Sequence, residues 1–326
     1  MEVLVTGASG YLGSHVVKEL LSRGYRVKAT TRSLVNAEFL NKFSGDLEIV
    51  EMDLLDVERV KEVVRGCEYV IHCAAALAVG VNNPQRDVVD PSIEGTRNLI
   101  SGMGDVKGVV HTSSVAAIRS TNYENGKVFS NNDWCEDATV KSNAYGLAKA
   151  GAERLIREWA NNNDVRLVTI NPSIIFGPIL DRRHLNGSMG YLKHFVGRTP
   201  FVLDIHINFV DVRDVAIAHV NALESGVNGG RYLLHSRGLW MKEIGQLLRE
   251  KKPGRKWAIR RLPNILACMI TLLHPKVRLR DLRGNLGSWV SYDIGNTLKE
   301  LSLDLTSSEA TIIDGVDSII DIQNKG

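Results

Sequence analysis

The sequence has few cysteines, and none has the spacing of a metal or redox site. Four cysteines occur in 326 residues, without a CxxC pair or a zinc-ligand spacing. No fixed-period repeat and no low-complexity tract is present. We therefore expect reduced, structural thiols, no bound metal and no repeat architecture.

The chain also lacks a long hydrophobic run. Its longest apolar stretch, LPNILACMITLLHP at 262–275, is bracketed by prolines. It falls well short of the roughly 20 residues that a membrane span needs. A strand pattern starts at once in MEVLVTGASG, which leaves no room for a signal or transit peptide. These features predict a cytoplasmic protein without a transmembrane segment.

Charge is nearly balanced over the whole chain but not along it. The 40 basic and 37 acidic residues, with 44% hydrophobic residues, are typical of a soluble globular protein. The segment 249–283 nevertheless holds 11 basic residues and only Glu250 and Asp281 as acids. A solvated basic face is the simplest interpretation. An anionic substrate such as a CoA thioester, or peripheral contact with a membrane, which we favour less, are the alternatives. Trp257 is its only aromatic residue, so we predict no nucleic-acid partner.

Short β-branched runs alternate with helical patterns through the first half of the chain. The runs are EVLV, RVKATT, LEIVEMD, YVIHCAA, KGVVHTSS and VRLVTINPS. This alternation predicts an α/β fold, a doubly wound parallel sheet of the Rossmann type. We assign 1–172 to this dinucleotide-binding domain, completed by about 207–235. We assign 173–206 and 236–326 to a smaller, mostly helical substrate-binding part.

A glycine-rich turn follows the first predicted strand. In VLVTGASGYLG, Gly7 permits a tight turn, Gly10 lets a phosphate approach the backbone, and Gly13 allows close helix packing. The amphipathic helix that follows presents unpaired N–H groups and the positive end of its dipole. The order of strand, glycines and helix predicts a dinucleotide site.

The end of the second strand indicates which dinucleotide binds. An NAD site offers a carboxylate there to the ribose 2′-hydroxyl, whereas this chain has Arg32, which can grip a 2′-phosphate. NADP(H) is therefore the predicted cofactor. Asp53 is a candidate for the adenine amine, and its alternative role is a helix N-cap. The run Ala74, Ala75 and Ala76 is small enough to contact the cofactor.

These motifs resemble those of the extended short-chain dehydrogenase/reductases. TGASGYLG is similar to the TGxxGxxG pattern of that family, and HTSS followed by YGLAK is similar to its serine and YxxxK motifs. VKATTRS, PSIEGTRNLI, NPSIIFGP, FVDVRDVAIAH and GRYLL resemble segments of the dihydroflavonol-4-reductase and cinnamoyl-CoA-reductase branch, which includes microbial aldehyde and ketone reductases. The segment 115–140 and the part after Leu239 show no clear match.

The resemblance implies roles for matching residues. It makes Tyr145 and Lys149 the catalytic pair, which also contacts the cofactor, and Ser114 the catalytic serine, with Ser113 as the alternative. Pro172 and Ser173 match the segment that passes the nicotinamide. Neighbours in the same motifs complete the predicted cofactor site, namely Thr6, Tyr11, Leu12, Leu54 and Thr112.

A second pair with the same spacing, Tyr123 and Lys127, lies in the Asn-, Ser- and Gly-rich stretch STNYENGKVFSNND. Such a composition predicts a loop, so we do not expect this pair to be catalytic. At Tyr145, an ammonium about 4 Å away supplies a lowering of the tyrosine pKa by roughly two to three units, which desolvation opposes. We therefore expect Lys149 to tune the pKa of Tyr145.

The predicted function is NADPH-dependent reduction of an aldehyde or ketone with an apolar or aromatic body, with Tyr145 as proton donor. Alternative enzymes are a 3β-hydroxysteroid-type dehydrogenase and a nucleotide-sugar epimerase or dehydratase. A non-catalytic NADP(H)-sensing regulator is the alternative of another class. We expect a monomer or a homodimer.

Overall fold

The computed structural model describes residues 1–75, 82–197, 199–272, 282 and 284–324. Its strands are β1 (Glu2–Thr6), β2 (Arg26–Thr31), β3 (Leu47–Glu51), β4 (Tyr69–His72), β5 (Gly108–Thr112), β6 (Val128–Phe129), β7 (Arg166–Pro172), β8 (Ile174–Phe176), β9 (Phe201–Val202), β10 (His206–Asp211), β11 (Gly230–Leu234), β12 (Arg237–Trp240), β13 (Arg260–Arg261) and β14 (Ser291–Tyr292). Its α-helices are α1 (Tyr11–Ser22), α2 (Val57–Val64), α3 (Asp90–Ser101), α4 (Val140–Asn162), α5 (Gly190–Val196), α6 (Val212–Asn221), α7 (Met241–Lys251), α8 (Asn264–Leu272), α9 (Thr297–Glu300) and α10 (Ser308–Asn324). Short 3₁₀ turns span Val35–Lys42, Val115–Ala117, Arg182–Leu185 and Gly187–Met189, and a π turn spans Gln85–Val89.

The main sheet has seven strands in the order β11-β7-β5-β4-β1-β2-β3. Every neighbouring pair in it runs parallel. Successive side chains of β1 show why both faces need a cover: Val3 and Val5 join the core formed with α1 and α6, whereas Leu4 joins the core formed with α2, α3 and α4. The predicted fold class, a doubly wound parallel sheet, is confirmed.

A second, three-stranded sheet has the order β12-β10-β8 and packs with α5, α7 and α10 around its own core. The sequence assigned about 207–235 to the main domain, and α6 and β11 do pack there. Strand β10 contributes to both cores: Val210 joins the core of the main sheet, whereas Ile207 and Phe209 are buried in the second core, where Phe209 stacks on Phe176 at 5.2 Å. The domain boundaries stay a prediction.

The C-terminal part reaches back to the loop that follows β5. Strand β14 pairs with β6, so Ser291 lies opposite Val128 and Tyr292 opposite Phe129. Tyr292, Phe129 and Ile118 share one small buried cluster. This pairing closes the loop between β5 and α4 over the carboxyl ends of the strands.

Three of the seven described cations of the basic segment form ion pairs with acids from other elements. Lys251 contacts Glu309 at 3.0 Å, Lys252 contacts Asp317, and Arg261 contacts Asp204 at 2.7 Å. Four further cations of that segment, at 276, 278, 280 and 283, lie outside the described residues. These ion pairs favour the interpretation of the basic segment as a solvated face over an anionic substrate site or a membrane contact. None of the helices described here is long and apolar enough to cross a bilayer.

Candidate active site

The glycine turn between β1 and α1 has the geometry of an anion cradle. Gly7 has φ +67°, and a Cβ there would lie 2.8 Å from the Ala74 Cα. A Cβ on Gly13 would lie 2.2 Å from the Gly7 carbonyl oxygen. Gly10 is the N-cap of α1, so no side chain caps the first-turn N–H groups, which begin with Tyr11 and Leu12. The free N–H groups and the helix dipole fit a pyrophosphate.

The end of β2 is tied to this turn. The Ala8 N–H donates to the Thr30 carbonyl at 3.0 Å, and the hydroxyls of Ser9 and Thr31 are 2.9 Å apart. The next residue, Arg32, is exposed, and within the described ranges no carboxylate pairs with it. A guanidinium beside a phosphate cradle fits the 2′-phosphate of NADP(H).

Two predicted cofactor residues, Thr6 and Thr112, turn their hydroxyls into the protein instead. The fully buried Thr6 Oγ1 lies 2.6 Å from His72 Nδ1 and accepts the Ala74 N–H at 3.2 Å. Thr112 Oγ1 lies 2.7 Å from His219 Nε2. These hydroxyls bond to buried groups at the ends of β4 and β5, and a cofactor contact of Thr6 and Thr112 stays a prediction.

At the end of β3, Asp53 is exposed and accepts the Leu55 N–H at 3.0 Å. The helix that follows is capped by Asp56, which accepts the Arg59 N–H at 3.1 Å, so the alternative role of Asp53 as N-cap is wrong. Contact with adenine stays a prediction for Asp53, as does a cofactor contact for half-buried Leu54.

Beyond β4, Ala74 is half-buried and Ala75 is exposed next to the glycine turn. Ala76 lies outside the described residues. At the end of β7, the Ser173 N–H donates to the Leu234 carbonyl at 2.9 Å, and its buried hydroxyl has no hydrogen-bond partner among the described residues. Together with buried Pro172, it is placed at the carboxyl edge of the sheet, where a ligand is expected.

Helix α4 is interrupted near its start. Asn143 leaves helical geometry at φ −157° and ψ 71°, and its side chain accepts the Gly146 N–H at 2.9 Å. It therefore acts as an internal cap, which places Tyr145 in the first turn of the continuing helix. A Cβ on Gly146 would lie 3.0 Å from the Ala116 carbonyl oxygen. This close approach packs the start of the helix against the turn that begins at Ser114.

The two adjacent serines have different surroundings. Ser114 accepts the Ala116 N–H at 3.1 Å and lies beside Tyr145, where its hydrogen bond lowers the tyrosine pKa. Ser113 is buried and donates to Glu153 at 2.5 Å. The geometry favours Ser114 over Ser113 as the serine of the site.

Lys149 follows Tyr145 by one helical turn and is buried. Its ammonium donates to the Thr112 carbonyl at 3.0 Å, and burial lowers its pKa from 10.5 to about 8. Burial also raises the pKa of Tyr145, against the effect of Ser114. The expected lowering of the Tyr145 pKa by Lys149 is therefore wrong in this structure, because desolvation prevails and the ammonium is committed to Thr112.

A buried charge network behind the site escaped the sequence interpretation. The fully buried Glu153 lies one helical turn beyond Lys149 and accepts from Asn171 Nδ2 at 3.0 Å and from Arg231 Nε at 2.5 Å. Asn171 Nδ2 also donates to the Ser114 carbonyl at 3.3 Å. The network thus links β7 and β11 to both serines. The signal in the sequence was an acid four residues after the lysine, on the same helical face.

Comparison with known proteins identifies the family. Residues 3–234 match the NAD dependent epimerase/dehydratase family. The chain belongs to that family. Membership confirms the resemblance to extended short-chain dehydrogenase/reductases that TGASGYLG and YGLAK indicated.

Curated relatives include plant reductases. The chain is 35% identical over 269 residues to cinnamoyl-CoA reductase CAD2 of Medicago truncatula, covering 77% of this chain and 81% of that protein. It is 31% identical over 271 residues to anthocyanidin reductase of Arabidopsis thaliana, covering 76% and 80%. These relatives confirm the predicted branch.

Solved structures share the fold along nearly the whole chain. Yeast methylglyoxal/isovaleraldehyde reductase Gre2, complexed with NADPH, superposes with a TM-score of 0.83 at 23% identity and covers 100% of both chains. Gre2 from Candida albicans, also in an NADPH complex, has a TM-score of 0.82 at 26% identity and covers 99% of both chains.

Proposed function

We propose that the protein reduces an aldehyde or ketone to the alcohol with NADPH. The observation that carries this proposal is the partly exposed Tyr145, with Ser114 beside it and Lys149 one turn further, at the same sheet edge as the glycine cradle. Relatives named as reductases, and Gre2 structures that contain NADPH, support it.

For the cofactor, the glycine turn would hold the pyrophosphate and Arg32 the 2′-phosphate. An arginine rather than a carboxylate beside the cradle disfavours the NAD-dependent epimerase and dehydratase alternatives. When bound, NADPH supplies a hydride to the carbonyl carbon. Lys149 would hold the nicotinamide ribose with its ammonium, in addition to the Thr112 carbonyl that it already binds.

The protein supplies the proton. In the proposed reaction the Tyr145 hydroxyl gives its proton to the carbonyl oxygen while Ser114 donates a hydrogen bond to the same atom. Because burial raises the pKa of Tyr145, the hydroxyl keeps its proton at neutral pH until the oxygen becomes basic. The presence of this acid disfavours a non-catalytic NADP(H) sensor.

Tyr145→Phe tests the proposed acid. We expect about 10²- to 10⁴-fold lower turnover in NADPH oxidation with aliphatic, aromatic and steroidal carbonyls, the range general acids contribute. Tyr123→Phe is the matched control, because Tyr123 belongs to the second Tyr-x-x-x-Lys copy and packs on Phe129. Near-normal turnover by Tyr145→Phe would contradict the role of Tyr145 as the acid. Equal use of NADH and NADPH by the wild-type protein would contradict the role of Arg32 in binding the 2′-phosphate.

A further inference from the structure

Arg119 lies close to the catalytic serine. The 3₁₀ turn Val115–Ala117 starts at Ser114, and the Arg119 N–H closes it by donating to the Val115 carbonyl at 2.8 Å. Since a 3₁₀ turn rises about 2 Å per residue, the Cα atoms of Ser114 and Arg119 are on the order of 10 Å apart. A ligand held by the guanidinium would therefore lie near the reacting carbonyl.

One tyrosine packs on this guanidinium, and two more lie within its electrostatic reach. It lies 5.2 Å from the ring centroid of Tyr123. Burial raises the pKa of Tyr191, on α5, and of Tyr292, on β14, and in both cases Arg119 lowers it. The guanidinium is thus within electrostatic reach of hydroxyl groups on α5 and on β14. Hydroxyls beside a cation are suitable donors to a bound anion.

The acids of the same loop do not neutralise Arg119. Asp137 accepts the N–H groups of Thr121 at 2.6 Å and Asn122 at 2.8 Å, so each of its carboxylate oxygens already binds a backbone N–H group. Glu124 is exposed and forms no ion pair within the described part of the chain. The Arg119 side chain, although half-buried, has no carboxylate partner among those residues.

The other buried and half-buried arginines of the described residues have an acid or a carbonyl group nearby. Arg166 donates to the Ala222 and Ser225 carbonyls, and Arg157, which forms no ion pair, is within electrostatic reach of Glu153. Arg213 binds Asp211 with its Nε and Nη2 atoms at 2.9 and 2.7 Å, and Arg231 binds Glu153 at 2.5 Å. A partly desolvated cation without a partner costs free energy, which a bound anion recovers. The contrast indicates that the partner of Arg119 is a ligand.

We propose that the carbonyl substrate carries a carboxylate and that Arg119 binds it. This proposal rests on the function proposed above. The planar guanidinium matches the two carboxylate oxygens, and it acts electrostatically on the hydroxyls of Tyr191 and Tyr292. The substrate class is therefore a short or aromatic oxo acid, with its carbonyl at Ser114 and Tyr145 and its carboxylate at Arg119.

Two substrates of equal shape and different charge test this inference. For 4-carboxybenzaldehyde we expect Arg119→Gln to lower kcat/KM about 10- to 100-fold, the loss typical of a hydrogen bond to a charged group. For the neutral methyl 4-formylbenzoate we expect no more than about a twofold change, which also shows that the variant is folded. Arg119→Lys should recover part of the loss. Lys127→Gln, which removes an exposed cation of the same loop, should leave both substrates unaffected.

A binding measurement separates failure of this inference from failure of the proposed function. Monomethyl terephthalate has the same carboxylate and no reducible aldehyde, so calorimetry of its binding to the NADPH complex needs no turnover. Weaker binding by Arg119→Gln supports the carboxylate site even if neither aldehyde is reduced, and the proposed reaction then fails alone. Equal kcat/KM changes for acid and ester, or unchanged binding of the terephthalate, overturn the carboxylate site and leave the reductase proposal standing.

Discussion

The buried ammonium of Lys149 makes stability depend on pH in a defined window. The folded protein releases this proton near pH 8, whereas the unfolded chain keeps it to about pH 10.5. Between these values the unfolded state binds more protons, so the free energy of unfolding rises with pH. Lys149→Met removes the titration, so the variant should lack this rise.

The size of the effect follows from the two pKa values. The difference between 10.5 and about 8, at about 1.36 kcal/mol per pKa unit, amounts to roughly 3 kcal/mol lost at pH 7. At pH 9.5 the folded lysine is largely neutral, and about 1 kcal/mol of that loss remains. The wild-type protein should therefore gain about 2 kcal/mol relative to Lys149→Met between pH 7 and 9.5.

Urea unfolding followed by tryptophan fluorescence measures this difference, in the absence of NADPH, at several pH values. Lys18→Met, at an exposed position of α1, controls for the loss of a surface charge. A constant difference between wild type and Lys149→Met across the pH range would refute the reasoning. It would mean that the ammonium remains solvated and that the packing around the Thr112 carbonyl is looser than the structure shows.

Two further substitutions test the cradle and the buried network. Gly13→Ala places a Cβ 2.2 Å from the Gly7 carbonyl oxygen, so we expect loss of NADPH binding in a fluorescence titration, whereas Gly104→Ala, with open space around it, should bind normally. Glu153→Gln leaves Arg231 buried without a charged partner and should cost about 3–5 kcal/mol in urea unfolding, part of which Glu153→Gln with Arg231→Met should restore. An unchanged urea midpoint for the single variant would contradict the buried pair.

The local patterns predicted much of the fold and part of the site. Alternation of strands and helices was sufficient for the doubly wound sheet, and the glycine spacing was sufficient for the turn at Gly7 and Gly13. Both depend on residues that are close in sequence. The position of Tyr145 one turn before Lys149 also follows from helical spacing.

Features that depend on distant residues were not predictable in the same way. Arg231 meets Glu153 across 78 positions, and Thr6 meets His72 across 66. No short sequence pattern indicates that residues at these separations come into contact. The pKa of Tyr145 was predicted in the wrong direction because burial, which the sequence does not display, prevails over charge. Strand β10 joined the second sheet because of partners far along the chain.

The position of β11 has a consequence for synthesis of the protein. During translation the glycine turn, both serines and the helix that carries Tyr145 emerge from the ribosome first. Arg231 emerges only after the whole of β8 to β10 and α6. Until then Glu153 lacks the ion pair that it forms with Arg231 in the folded protein. The N-terminal half therefore cannot complete its buried charge network until the strand of residues 230–234 has left the ribosomal tunnel.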